Sequence, residues 1–72
     1  MGKHVILPQE RPHLEDGYTR IDYLSILAET EKAYLFSLED KEIWIPRSQC
    51  KLHLVFYYVD VANWFYDKNI DV

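Results

Sequence analysis

Residues 28–49 read AETEKAYLFSLEDKEIWIPRSQ, and this stretch decides the fold class. Its two runs of β-branched and aromatic residues are separated by a short polar segment, which is typical of consecutive antiparallel strands. The spacing predicts strands over 33–38 and 42–45, joined by a tight turn at 39–41. Pro46 has no backbone donor, so it ends the second strand or places it at a sheet edge.

The flanking residues extend this pattern on both sides. Residues 18–27 predict a first long strand, and the phase of its apolar alternation changes at Tyr23-Leu24, which indicates a bulge or a strong bend. The polar residues 29–32 then form a hairpin loop. Residues 51–59 alternate with apolar side chains on both faces, so we expect a fourth strand there.

The C-terminal residues favour a short helix. Asp60 is a good N-cap for a helix over 61–69, and the apolar spacing places Trp64 and Phe65 on the stripe that packs against the sheet. The predicted fold class is therefore mainly β (α+β). We expect a bent four- to five-stranded antiparallel sheet, or a small SH3/OB-like barrel, with one short C-terminal helix.

The chain divides into an arm and one domain. Residues 1–17 predict an N-terminal arm because Pro8, Pro12 and a turn interrupt regular structure, although Val5–Leu7 suits a short edge strand. The ordered domain is expected over 18–72.

Composition limits the classes of function. One cysteine allows no intramolecular disulfide and fits a reducing cytoplasm, and no apolar run approaches the roughly 20 residues that span a bilayer. The net charge is −4 with interspersed charges, so the basic stripe of a duplex DNA-binding protein is missing. An acidic surface suits a basic partner instead.

No residue pattern points to catalysis or to a metal. Ser48 lies near His53 in sequence but lacks the Gly-x-Ser-x-Gly elbow of a hydrolase. Cys50 and His53 form a single Cys-x-x-His pair, whereas structural zinc sites contain two pairs. We therefore expect no enzyme activity, no cofactor and no metal site.

The aromatic side chains carry the functional prediction. Aromatic residues make up 15% of the chain, more than one small interior is expected to hold, so some are expected to lie exposed or against another chain. Acidic residues at the ends of the two predicted hairpins add charge to such a surface. The predicted partner-binding residues are Trp44, Tyr57, Tyr66, Glu29, Glu31, Asp40 and Glu42.

Two other uses of these aromatics stay open. The first is a single-stranded nucleic-acid-binding surface, in which aromatic rings stack on bases and cations meet phosphates. Its residues would be Tyr34, Phe36, Trp44, Arg47 and Lys51. The second is a homodimer formed through the predicted strand at 52–59, since isologous contacts are the commonest kind.

Three segments resemble a group of short phage- and plasmid-encoded proteins of unassigned function. The segments are ETEKA at 29–33, EIWIPRSQ at 42–49 and VANWFYDK at 61–68. The resemblance implies a mobile-element gene expressed in the cytoplasm of a prokaryotic host. Together with the small size, the acidity and the surplus aromatics, it predicts a non-enzymatic product that binds a host protein or protein complex. Small acidic phage products of this kind include inhibitors of host defence such as anti-CRISPR proteins.

Overall fold

The computed structural model describes residues 11–71, which form a mainly β fold. Two three-stranded antiparallel sheets are followed by one short C-terminal helix. The strands are β1 (Tyr18–Asp22), β2 (Ser25–Glu29), β3 (Ala33–Ser37), β4 (Glu42–Pro46), β5 (Cys50–His53) and β6 (Tyr58–Ala62), and the helix is α1 (Asn63–Asn69). The mainly β class with a C-terminal helix is confirmed.

The arrangement of the strands differs from the prediction. Sheet A has the order β1-β6-β5 and sheet B has the order β2-β3-β4, so the six described strands form two sheets and no closed barrel. Sheet B is a meander, and its strands β3 and β4 match the predicted strands within one residue. A short 3₁₀ turn at Arg47–Gln49 connects the two sheets after Pro46.

The predicted long strand at 18–27 is in fact β1 and β2, which belong to different sheets. The break falls at Tyr23-Leu24, where the alternation changes phase. The Tyr23 amide donates to the Tyr57 carbonyl in sheet A's hairpin at 3.1 Å. The next amide, that of Leu24, donates to the Ser37 carbonyl of sheet B at 2.8 Å.

The predicted strand at 51–59 is wrong, because this segment is a hairpin. His53 pairs with Tyr58 across a four-residue turn, Leu54–Tyr57, so β5 and β6 are antiparallel neighbours. The turn contains no Gly, Asn, Asp or Pro, the residues that signal turns in a sequence. A dimer paired through one continuous strand at 52–59 therefore has no such strand available.

The helix begins later than predicted, and Asp60 is not its N-cap. Asp60 lies inside β6, directly opposite Arg20 of β1, and its carboxylate is buried. The Arg20 guanidinium donates from Nε to Oδ1 at 2.7 Å and from Nη2 to Oδ2 at 3.0 Å. This hydrogen bond to Asp60 raises the pKa of Arg20, so the guanidinium keeps its charge. Asp60 therefore pairs with Arg20 on the neighbouring strand and does not cap the helix.

The core lies between the inner faces of the two sheets. Phe36 and Ile45 come from sheet B, and Val59 and Val61 come from sheet A; all four are fully buried. Helix α1 adds Phe65 to this core, whereas Trp64, which was expected to pack there too, is about half exposed.

The outer face of sheet A is covered by residues 11–15, here called the N-terminal strap. Arg11 Nη2 lies 2.8 Å from Asp22 Oδ1, and Lys51 Nζ lies 2.5 Å from Glu15 Oε1. The strap belongs to the predicted arm and has no helix or strand. The expected edge strand at Val5–Leu7 lies outside the described residues.

Tyr58 lies beneath this strap. Its ring is fully buried, with the Arg20 guanidinium 4.0 Å and the Arg11 guanidinium 5.0 Å from the ring centroid. Arg20 Nη1 also donates to the Pro12 carbonyl at 2.8 Å, so the same guanidinium contacts the strap, the ring and Asp60. The ion pair thus organises the outer layer of sheet A.

Asp60→Ala is expected to lower the free energy of unfolding by about 3 kcal/mol, since it leaves the largely buried Arg20 guanidinium without its carboxylate. Urea denaturation measures this loss. The matched control is Asp22→Asn, which removes a carboxylate that is 69% exposed and is expected to cost less than about 1 kcal/mol. Equal losses in the two variants would contradict the central role of the Arg20–Asp60 pair.

Candidate protein-binding surface

Four large apolar side chains lie exposed together where the two sheets meet. They are Leu24 (62% exposed), Leu54 (62%), Val55 (83%) and Tyr57 (59%), here called the hairpin tip. Three of them come from the turn between β5 and β6, and Leu24 comes from the break between β1 and β2. Single exposed apolar residues are normal on a protein surface, whereas a contiguous group of them marks an interaction site.

An open groove runs beside the hairpin tip. Its volume is about 430 Å³ and most of its lining is apolar. Among residues 11–71, no charged residue lines it; the lining residues are Tyr23, Leu24, Ser25, Ile26, Leu54 and Tyr57. A groove of this composition suits the apolar side chains of a protein segment.

Tyr23 forms the rigid base of the groove. It is buried, and its ring stacks on that of Tyr57 with centroids 5.9 Å apart and planes at 12°. Its hydroxyl donates to the His53 carbonyl at 3.4 Å, and burial raises its pKa, so the ring is neutral. The stacked pair fixes the position of the exposed Tyr57.

Tyr57 adopts a backbone conformation that a tyrosine rarely adopts. Its φ is +60°, in the left-handed region that favours glycine. A side chain with a Cβ there costs about 1–2 kcal/mol. Tyr57 is therefore both strained and exposed, a combination that makes it a candidate for a functional position.

The other predicted aromatic residues lie elsewhere. Trp44 is half exposed on the outer face of sheet B, and Leu27, at the bulge of β2, is exposed as well. Tyr66 is partly buried against the core and lines a second groove, of about 290 Å³, together with Asp40. These residues do not join the hairpin tip in one surface.

The predicted acidic hairpin ends are also apart. Glu29 and Glu31 lie at the turn before β3, whereas Asp40 and Glu42 lie at the turn after it. Because β3 runs from one turn to the other, the two turns lie at opposite ends of sheet B. Glu29 also lies 3.6 Å from Arg47 Nη2, so its charge is partly balanced.

The predicted nucleic-acid residues do not form one face, which corrects that alternative. Phe36 is fully buried in the core, where no base can stack on it. Tyr34 is covered by the Arg47 guanidinium, which lies 4.2 Å from the ring centroid and donates from Nη1 to the tyrosine hydroxyl. Lys51 lies on sheet A and forms an ion pair with Glu15 of the N-terminal strap, whereas Trp44 lies on the outer face of sheet B.

Residues of the ETEKA and WIPRSQ segments connect the turn before β3, the 3₁₀ turn and helix α1; this set of contacts is here called the joint. The Thr30 hydroxyl accepts from the amides of Lys32 and Ala33 at 3.2 and 3.0 Å and so shapes the turn before β3. Arg47 Nε donates to the Thr30 carbonyl at 3.0 Å. Gln49 accepts from the Trp64 indole at 2.9 Å, which ties α1 to the same joint. These residues hold the scaffold together.

The surroundings of Cys50 do not activate its thiol. Burial raises the pKa of Cys50 to about 11, so the thiol is protonated and weakly nucleophilic at neutral pH. Across residues 11–71, no group of three or more His, Cys, Asp or Glu side chains has the geometry to hold a metal ion. Within the same range, no helix is long and apolar enough to cross a membrane.

Comparisons with models of protein families, with curated proteins and with solved structures find no match to this chain. The functional argument therefore depends on the surface itself. Tyr57 was among the predicted partner-binding residues, but Leu24, Leu54 and Val55 were not. The sequence signal for Leu24 was the phase change at Tyr23-Leu24. The signal for Leu54 and Val55 was the segment with apolar side chains on both faces, because a domain this small rarely buries both faces of a strand.

Replacing Tyr57 with Gly and with Ala separates backbone strain from side-chain contacts. Tyr57→Gly is expected to be more stable than Tyr57→Ala by about 1 kcal/mol, because only glycine adopts the positive φ without strain. The control pair is Lys68→Gly and Lys68→Ala in helix α1, where glycine is expected to be less stable by about 1 kcal/mol. Chemical denaturation gives all four values, and the same sign at both positions would contradict strain at Tyr57.

Proposed function

We propose that this chain is a non-enzymatic binding protein that docks on another protein through the hairpin tip. The observation that carries the proposal is the group of exposed apolar side chains at one site, with a strained tyrosine among them. Protein interfaces typically contain a few aromatic or aliphatic anchors at their centre, surrounded by polar residues. Tyr57 and Leu54 are the anchors proposed here.

The shape and charge of this surface favour a protein partner over a nucleic acid. The turn projects Val55 outward, and the neutral groove beside it can receive apolar side chains in return. Binding to phosphates requires clustered Lys and Arg side chains, and the groove lining has none in the part of the chain that the structure describes. The net charge of −4 further favours approach to a basic partner surface.

The resemblance to phage and plasmid proteins suggests where the partner belongs. We propose a host protein or protein complex in the prokaryotic cytoplasm, and an inhibitor of host defence is the most specific form of this proposal. In that form, the hairpin tip would occupy a surface that the defence complex needs for its own assembly or for its target.

A photo-crosslinking amino acid placed at position 55 tests the binding surface directly. In bacterial cells that produce the full chain, irradiation is expected to yield a discrete cross-linked protein from position 55, because this side chain is the most exposed of the hairpin tip. The matched control carries the same amino acid at the exposed position 68 of α1 and is expected to yield no such product.

The identity of the contact is checked by a second substitution. Adding Leu54→Ser to the position-55 variant is expected to remove the cross-linked product while the far-ultraviolet circular dichroism is retained. Equal products from positions 55 and 68, or a product that survives Leu54→Ser, would overturn the hairpin tip as the interface.

For the defence inhibitor, the wild-type chain should raise phage plating on a defence-competent host at least tenfold, and Val55→Asp should not.

A further inference from the structure

We infer that the partner protein binds by strand addition: an extended segment of the partner pairs with β2 and places aliphatic side chains in the groove beside the hairpin tip. The segment would lie along the side of β2 that faces away from β3, here called the outer edge of β2. The inference rests on the proposed function and specifies how the same surface recognises its partner.

β2 is an edge strand of sheet B. Its backbone pairs with β3, and among residues 11–71 no strand pairs with its outer edge. The outward amides and carbonyls of an edge strand are a template on which another strand can pair. When a peptide adds to such an edge, these main-chain hydrogen bonds supply affinity and the pockets beside them supply specificity.

The groove follows the outer edge of β2 and not one face of the sheet. Successive side chains of a strand point to opposite faces, yet Ser25 and Ile26 of β2 both line the groove. Leu54 and Tyr57 of the hairpin tip line the same groove. Because paired strands lie about 4.8 Å apart, a strand added to β2 would contact both the outer edge and the hairpin tip.

β2 differs from the other described edge strands. Those strands contain proline or charged residues, which natural proteins use to prevent edge pairing: Pro46 in β4, Lys51 in β5, and Arg20 and Asp22 in β1. In β2 the only charged residue is Glu29, and a bulge lies between Ile26 and Ala28. The half of β2 that lines the groove precedes both features and is therefore open to pairing.

The charges around the groove determine the chemistry of the partner segment. In the described part of the chain no charged residue lines the groove, so aliphatic side chains suit the centre of the segment. Asp22 directly precedes the groove residues and Glu29 ends β2; their side chains stay 69% and 64% exposed beside Arg11 and Arg47. Basic residues at both ends of the partner segment complement these two carboxylates.

Titration with a short peptide tests strand addition without the natural partner. The probe is the capped peptide KVTVTVK, in which valine alternates with threonine and a lysine stands at each end. In nuclear magnetic resonance spectra we expect it to shift the amide signals of 24–29 and 54–57, and to slow amide hydrogen exchange in β2. The matched control peptide has the same side chains but N-methylated central amides, and it is expected to bind about tenfold more weakly because it cannot donate to β2.

Two variants of the chain test the position of the added strand. Ser25→Lys places a cation at the outer edge inside the groove and is expected to weaken binding of KVTVTVK about fivefold or more. The matched control, Ser48→Lys, adds the same charge at an exposed position of the 3₁₀ turn and is expected to leave the binding unchanged. Far-ultraviolet circular dichroism checks that both variants fold.

The outcomes separate strand addition from the other occupants of the groove. Equal binding of the two peptides, shifts confined to 54–57, or no binding would overturn the inference. Slowed exchange in β2 that depends on the concentration of the chain alone would also overturn it, because it would place a second copy on the outer edge.

The cross-linking experiment distinguishes this inference from the proposed function. Pairing of KVTVTVK with β2, combined with failed cross-linking from position 55, would support the outer edge as a strand acceptor and remove the proposed docking in cells. Cross-linking from position 55 that persists undiminished in Ser25→Lys would support the proposed function and overturn strand addition.

Discussion

Two consecutive backbone amides hold the two sheets together. The amide of Tyr23 donates to sheet A's hairpin at Tyr57, and the amide of Leu24 donates to Ser37 of sheet B. The chain therefore changes sheets within one peptide unit, which directs the Tyr23 side chain into the core and leaves Leu24 exposed. The same bond places the turn that contains Tyr57 beside Leu24, so the apolar surface proposed for binding is a direct product of the junction.

The charged and the apolar parts of the surface have separate roles. The Arg20–Asp60 pair and the strap cover the outer face of sheet A, and Arg47 braces the joint between the turn at Thr30 and the 3₁₀ turn. These contacts use the cations that a nucleic-acid-binding surface would need. Leu24, Leu54 and Val55 of the hairpin tip, by contrast, lie outside the core, and Tyr57 is strained. This division favours a scaffold that presents a small apolar surface to another protein.

Local pattern was sufficient for strands β3 and β4 and for the fold class. The alternation at 33–38 and 42–45 predicted β3 and β4 within one residue, and the apolar spacing at 61–69 predicted a C-terminal helix, which begins at Asn63. Long-range pairing decided the rest. Asp60 has the side chain of an N-cap but is opposite Arg20, a residue 40 positions away, and no local signal identifies that partner. The turn at 54–57 was missed because it is built entirely from apolar residues. Most of the candidate site lies in this turn and was therefore missed as well.

The order of the strands has a consequence for how the chain folds. Every pairing in sheet B joins strands that are consecutive in sequence, and β5 and β6 are also consecutive. The pairing of β1 with β6, in contrast, closes a loop of about 40 residues, which is slow because of its entropy. During synthesis on a ribosome, β1 must therefore wait until the end of the domain has emerged. Sheet B can form first and act as the template on which sheet A closes.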